Sequence, residues 1–337
     1  MNTSGSPDAA MPPPVLAAGA AAATRRRRVV AALPVLAALL LVPAAHATPF
    51  DDSFWKHWGD GRAEVAGYDL VYKRYGEERT GTAVSIFVTE TFSEEARVKA
   101  DPGRHAASDE FPVMKLNLMQ DFPTGIYDYH LMTSSFITLT ERLGRPAGSA
   151  AKLTFSSQEW CGHVWHQLTP EPDAVRAQMR SYFDGEADQD LTLRYPEDGI
   201  LEDNLLFWAR GLAAPFLEPG ETVTVPLLRS VETVRLRHVP QEWETVTLER
   251  RTAPESVTVP AGTFETEVVT ARTSGGRTWT LNVENAPARR LIRWNRSDGV
   301  TAQLVKSERI PYWQMNGNRF QEDLSRIGLS PRPPRTP

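Results

Sequence analysis

The chain has 337 residues, 41% hydrophobic and 23% charged, an ordinary globular balance that allows one large or two small domains and excludes a wholly disordered chain. Its net charge is −5; residues 1–47 hold Arg25, Arg26, Arg27 and Arg28 against Asp8, a net of +3, so the remainder carries −8 and is a poor partner for nucleic acid. A single cysteine, Cys161, excludes an intramolecular disulfide and a multi-cysteine zinc site.

Residues 1–24 are an Ala/Pro-rich low-complexity leader, within which Met11 is an alternative start to Met1. The arginine block is followed by the apolar run Val29–Val42, interrupted by Pro34, and then by Ala45-His46-Ala47. Charged block, apolar run and small-x-small site form the order of a secretory signal, and the run is shorter than the roughly 20 residues that span a bilayer. Cleavage is expected after Ala47, giving a mature start at Thr48, a periplasmic or secreted location and no membrane-spanning segment thereafter. The arginines also fit a twin-arginine signal loosely, so either export route is open.

Residues 48–60 predict a short amphipathic helix ending at Gly59, with Phe54, Trp55 and Trp58 on one face. Strand patterns then dominate: 64–75 alternates around Val65, Tyr68, Leu70 and Tyr72, and 82–91 is rich in β-branched residues, with a turn or short loop at 76–81. Asp101-Pro102-Gly103 is a turn. Strands are expected at 113–121, 125–139 and, as one long strand, 152–168; the acidic turn 184–190 joins 176–183 to 191–195 as a hairpin. A helix is predicted over 200–210, stopped by Gly211. Strands follow at 223–228, 231–238, 243–250, 256–259, 264–273, 278–283, 289–295 and 301–309, then a helix at 320–327 stopped by Gly328 and a disordered tail at 329–337.

Many short alternating segments between turn signals indicate a mainly β protein: an antiparallel curved sheet, as half-barrel, barrel or sandwich, with a few short helices. The 48–328 β domain has two strand-rich halves, about 60–198 and 220–310, read as one continuous curved sheet.

Val259-Pro260-Ala261-Gly262-Thr263-Phe264, the long hairpin after it and the return strand from Pro287 resemble the C-terminal half of a broad family of exported bacterial β-rich proteins of unknown function. The resemblance covers about 55 residues and implies a β-rich envelope or secreted protein; it brings no catalytic residues. The stretch 54–115 also resembles exported chains that carry the label septum formation inhibitor Maf. The residues do not support that label, because the Ser-x-Ser-Pro-Arg-Arg loop of those enzymes has a counterpart only in Ser330-Pro331-Arg332, where no strand or helix follows.

The densest chemistry lies in residues 158–166. On a strand, Glu159, Cys161, His163 and Trp165 would share a face with His166 opposite. Cys161 is then a candidate nucleophile with His163 as base, or Glu159, Cys161 and His163 candidate metal ligands. Same-face neighbours are about 6.5–7 Å apart, long for a direct Cys–His bond, and buried cysteine with aromatics packing the sheet is the plainer alternative. Trp160 and Trp165 are candidate ligand-binding residues. Asp184, Glu186, Asp188 and Asp190 alternate like a calcium loop but lack its Gly at the sixth and Glu at the twelfth place. Nothing in the sequence requires a cofactor or a metal. The expected function is a non-enzymatic binding or envelope-associated protein with an apolar small molecule or an envelope protein as partner; the alternative is a hydrolase or metal-dependent enzyme centred on Cys161 and His163.

Overall fold

The structure is a computed structural model that describes residues 50–331. The expected export signal, the mature start at Thr48 and residues 332–337 of the tail lie outside the described residues.

Helix α1 (Asp52–Trp58) is capped by Asp51, whose carboxylate accepts from the backbone N–H of Ser53 and Phe54 at 2.9 and 3.0 Å, and it ends at Gly59 as predicted. A meander follows: β1 (Ala63–Arg74), β2 (Glu77–Ser93), β3 (Glu110–Thr124), β4 (Tyr127–Thr138), β5 (Ala150–Glu159), β6 (Gly162–Pro170), β7 (Ala174–Ser181) and β8 (Gln189–Arg194), each antiparallel to the next. The chain then crosses through β9 (Ile200–Leu201), a 3-10 turn (Glu202–Asn204), α2 (Leu205–Ala209), β10 (Thr222–Leu228) and α3 (Val231–Arg237). It finishes with β11 (Trp243–Arg250), β12 (Glu255–Val259), β13 (Gly262–Thr273), β14 (Thr278–Glu284), β15 (Leu291–Arg296), β16 (Val300–Ile310) and a 3-10 run at Asn318–Ile327.

Strand β16 returns to pair with β1, so strands from both halves form one mostly antiparallel sheet, with β8 at one edge and β9 at the other. The sheet curls on itself. Tyr195, just past β8, stacks on Trp243 at the start of β11 with ring centroids 5.7 Å apart, although these lie toward opposite flanks of the strand order. Arg145, in the β4–β5 loop, holds the segment after β8 by donating to the carbonyls of Pro172, Tyr195, Pro196 and Glu197.

Helices α2 and α3 fill the concave side. Phe207 meets Phe87 edge-on at 5.5 Å, and Tyr68 packs on Trp294 at 4.6 Å. Burying side chains of this size contributes about 1.5–3 kcal/mol each. On the outer face Ala63, Val65, Ile86, Val88 and Ile310 pack with Ile327 of the C-terminal run. Gly67 permits this approach: a Cβ there would stand 2.0 Å from the Ile327 carbonyl oxygen.

Three sequence expectations need correction. Residues 231–238, read as a strand, form helix α3, whose N-cap Ser230 accepts from the N–H of Glu232 and Thr233. Every residue from Val231 to Leu236 is buried, so no polar face marks the helical period. The long strand at 152–168 is a hairpin: Trp160 and Cys161 make a two-residue turn, and Glu159 pairs with Gly162. Gly162 sits at φ +154°, and a Cβ there would come within 2.9 Å of Tyr182 Cγ. The loop at 76–81 shrinks to Tyr75-Gly76, because β2 already begins at Glu77.

Candidate functional site

The hairpin separates the residues that a single strand would have aligned. Cys161 is exposed at the tip, and its backbone N–H donates to Glu159 Oε2 at 2.7 Å. The hydrogen bond and negative charge of Glu159 push the Cys161 thiol up from its ordinary value, away from the thiolate a nucleophile needs. His163 is exposed and lies opposite Gln158; Trp165 is half-buried; Trp160 is exposed and stacks on Tyr127 at 6.1 Å. His166 points inward, as its alternation requires, and is fully buried with neither ring nitrogen hydrogen-bonded; burial pushes it down to about 4. Glu159 also lies 3.8 Å from Arg235 of α3. Structure therefore brings Glu159 and Cys161 together, but through a turn, while Trp160 and Trp165 do not line the end cleft between α1 and the β14–β15 turn.

The concave interior is packed. A small cavity of about 30 Å³, bounded by Leu116, Glu202, Asp203, Ser230, Glu232 and Trp279, remains inside. Its walls are buried acids with distant partners. Glu202 accepts from Arg277 and from the Trp279 indole N–H at 2.9 Å; Glu232 accepts from Tyr72, Gln120 and Arg296 at 2.6–2.8 Å. These bonds satisfy groups that burial would otherwise penalise and lock the two inner helices to the sheet.

Open space lies at the sheet end where β1 begins. There α1, the crossover from α2 to β10, and the β14–β15 turn enclose a cleft of about 450 Å³. Phe54, Trp58, Trp208, Leu212, Phe216 and Pro287 supply its apolar walls. Trp208 is held by its indole N–H, which donates to the Pro215 carbonyl at 3.0 Å.

Polar groups converge on one side. Arg210 is buried and bidentate to Glu64 at 2.7 and 3.0 Å, beneath the rings of Phe87 and Trp58. Arg250 and Arg289 share the single carboxylate of Glu267, with bonds of 2.7 and 2.8 Å from Arg250 and 3.1 and 3.4 Å from Arg289. Burial pushes Glu267 up, but the hydrogen bonds and charges of both arginines outweigh it and hold the carboxyl below its usual range. Glu218 stands exposed at the lip. His57, lining the opposite wall, is pushed down by burial and by Arg309, so it is neutral at pH 7 and accepts from Arg309 through Nε2. The site is an apolar slot with hydrogen-bond donors fixed along one wall.

Comparison with solved structures shows a likeness in fold. The fold resembles a solved β-barrel-like protein. That protein, from Brucella abortus, belongs to a domain of unknown function, DUF1849; it is 12% identical, the match covers 74% of this chain and 98% of that chain, and the TM-score is 0.44. No family model matches the sequence, and no curated protein matches it either.

The cleft residues Arg250, Glu267 and Arg289 were not singled out from the sequence. Their partners lie 17 and 22 residues away, and Arg289 also reaches the Arg210 carbonyl 79 residues back. The one visible trace is Glu267 at the head of Val268-Val269, an acid in a strand otherwise rich in β-branched residues.

Proposed function

We propose that the chain is an exported binding protein whose end cleft holds a small molecule with an apolar body and a hydrogen-bond acceptor head. Export rests on Arg25–Arg28, the apolar run to Val42 and Ala45-His46-Ala47. The observation that carries the binding reading is the cleft itself: about 450 Å³, inside the range of small-molecule sites, with aromatic walls and two arginines anchored on one carboxylate. Arginine only donates, so the group that meets Arg250 and Arg289 is an acceptor. The small volume left inside the curve, about 30 Å³, favours a ligand at the end of the sheet.

The test uses purified mature protein, residues 48–337, titrated with an environment-sensitive apolar fluorophore carrying a sulfonate or carboxylate. Saturable binding at one site is expected, and Ala288→Trp, which fills the cleft from its half-buried rim, should abolish it while the circular-dichroism spectrum and melting temperature stay those of the parent. Equal binding by the filled variant would sink the reading. For export, N-terminal sequencing of the mature protein should begin at Thr48; an intact leader in cytosolic material would contradict it.

A further inference from the structure

Every turn that joins an odd strand of the meander to the next even one falls at the same end of the sheet, because successive strands are antiparallel. That end carries Tyr75 between β1 and β2, Ile126 between β3 and β4, Trp160 between β5 and β6, and Tyr182 after β7. These are the four most exposed large hydrophobic side chains among the described residues, at 60%, 83%, 65% and 70%; the next, Val98, reaches only 45%. One stands at each of four successive hairpins. With neighbouring strands about 4.8 Å apart, the row spans six strand spacings, about 29 Å along the sheet. Single exposed apolar residues are ordinary, whereas a row of them at one edge marks a contact surface.

The aromatic members are held in place. Trp160 stacks on Tyr127. Tyr75 exchanges a 2.7 Å hydrogen bond with Tyr129 and lies under the Arg74 guanidinium. Tyr182 rests against the bare Cα of Gly162, with Phe183 edge-on at 5.6 Å. Rings that are already ordered lose little freedom when a partner covers them, which favours binding.

Charge decides the partner. Among the exposed ionised residues of these tips and of the α3 terminus and the β15–β16 turn beside them, Glu77, Glu78, Asp184, Asp188 and Asp190 stand against Lys73 and Arg237, a net of −3. An acidic border repels the anionic surface of a bacterial-type membrane and attracts cationic groups. We infer that this rim is the docking surface for a partner polypeptide segment that presents apolar side chains flanked by lysine or arginine. The surface lies at the opposite end from the ligand cleft, so its occupation and that of the cleft are separately measurable.

The experiment measures binding of the full mature protein to a synthetic Leu/Lys amphipathic peptide, to its Leu/Glu counterpart, and to vesicles of phosphatidylglycerol or phosphatidylcholine. The Leu/Lys peptide should bind with an affinity that falls as salt rises, and the Leu/Glu peptide should not. Ile126→Ser with Trp160→Ser should weaken binding at least about tenfold. The charge-only variant Asp184→Asn with Asp188→Asn, which leaves the apolar row intact, should weaken it less and flatten the salt dependence. Equal binding of both peptides, unchanged binding by the Ile126/Trp160 variant, or preferential binding to vesicles would each overturn the proposal. Fluorophore binding in the end cleft should be unaffected by these variants, which separates this result from the cleft reading.

Discussion

The Tyr72 hydroxyl on β1 donates a 2.6 Å hydrogen bond to Glu232 Oε1 on α3, 160 residues later in the chain. The same carboxylate receives Gln120 Nε2 from β3 at 2.7 Å and Arg296 Nη1 from β15 at 2.8 Å. One acidic side chain thus ties the inner helix to three strands drawn from both halves of the sequence.

Removing that carboxylate should be far worse than removing one of its donors. Burial works against the Arg296 charge, and Glu232 and Asp298 overcome it, so the guanidinium stays ionised. Glu232→Ala leaves Arg296 with a buried charge short of its partner and should cost about 3–5 kcal/mol. Tyr72→Phe deletes the bond to Glu232 and a long 3.5 Å one from Arg296 and should cost about 1–3 kcal/mol, because the carboxylate it leaves is buried. Urea unfolding of the two variants checks the order; a smaller loss for Glu232→Ala would refute this account of the network.

Asp203 gives a pH signature. Burial, with the nearby Glu202 charge, pushes its carboxyl up to about 7, against the hydrogen bonds from Ser230 and the Val231 N–H. The folded state therefore keeps a proton that the unfolded chain releases near its ordinary value of 3.8. The resulting contribution is fully present below that lower value and declines as pH rises toward about 7, since the native state binds more protons across the window. Asp203→Asn should lose this term, so its stability relative to the parent should improve steadily from acid to neutral pH. Parallel curves for parent and variant between those limits would show that Asp203 does not titrate as described.

Cys161 should be a slow thiol despite its exposure. The Glu159 carboxylate accepts from it and repels the thiolate. Glu159→Gln removes that charge and should raise the rate of alkylation by iodoacetamide at pH 7.5 severalfold, because the thiolate is the reactive form. Identical rates would mean that the carboxylate does not control the thiol.

Gly67→Ala should free the C-terminal run. Its Cβ would collide with the Ile327 carbonyl, which is backbone and cannot rotate away, so an overpacking cost of about 1–3 kcal/mol is expected. The loss should appear as faster proteolysis between Asn318 and Ile327 with the strands of the sheet still protected. Unchanged cleavage there would show that the run is not seated on β1.

Strand identity was legible because it is local. Alternating Tyr68, Leu70 and Tyr72 mark the inner face of β1, Asp51 and Gly59 bracket α1, and Gly211 and Gly328 stop their segments. Helix α3 was not legible, because a helix buried all round carries no amphipathic period, and although its N-cap Ser230 is local, the residues that satisfy its buried Glu232, namely Tyr72, Gln120 and Arg296, are remote in sequence. The Trp160-Cys161 turn was missed because neither residue is a turn former and the permissive one, Gly162, opens the next strand.

The amino-acid order alone determined a mainly β chain with short helices at defined stops, since side-chain alternation and helix punctuation act between near neighbours. Only the tertiary structure decided that β16 closes on β1 in one sheet, that Arg250 and Arg289 meet over Glu267 in an end cleft, and that four apolar tips stand in a row. Each of these depends on which distant strands become adjacent, and register between strands is set by the packing of the whole core.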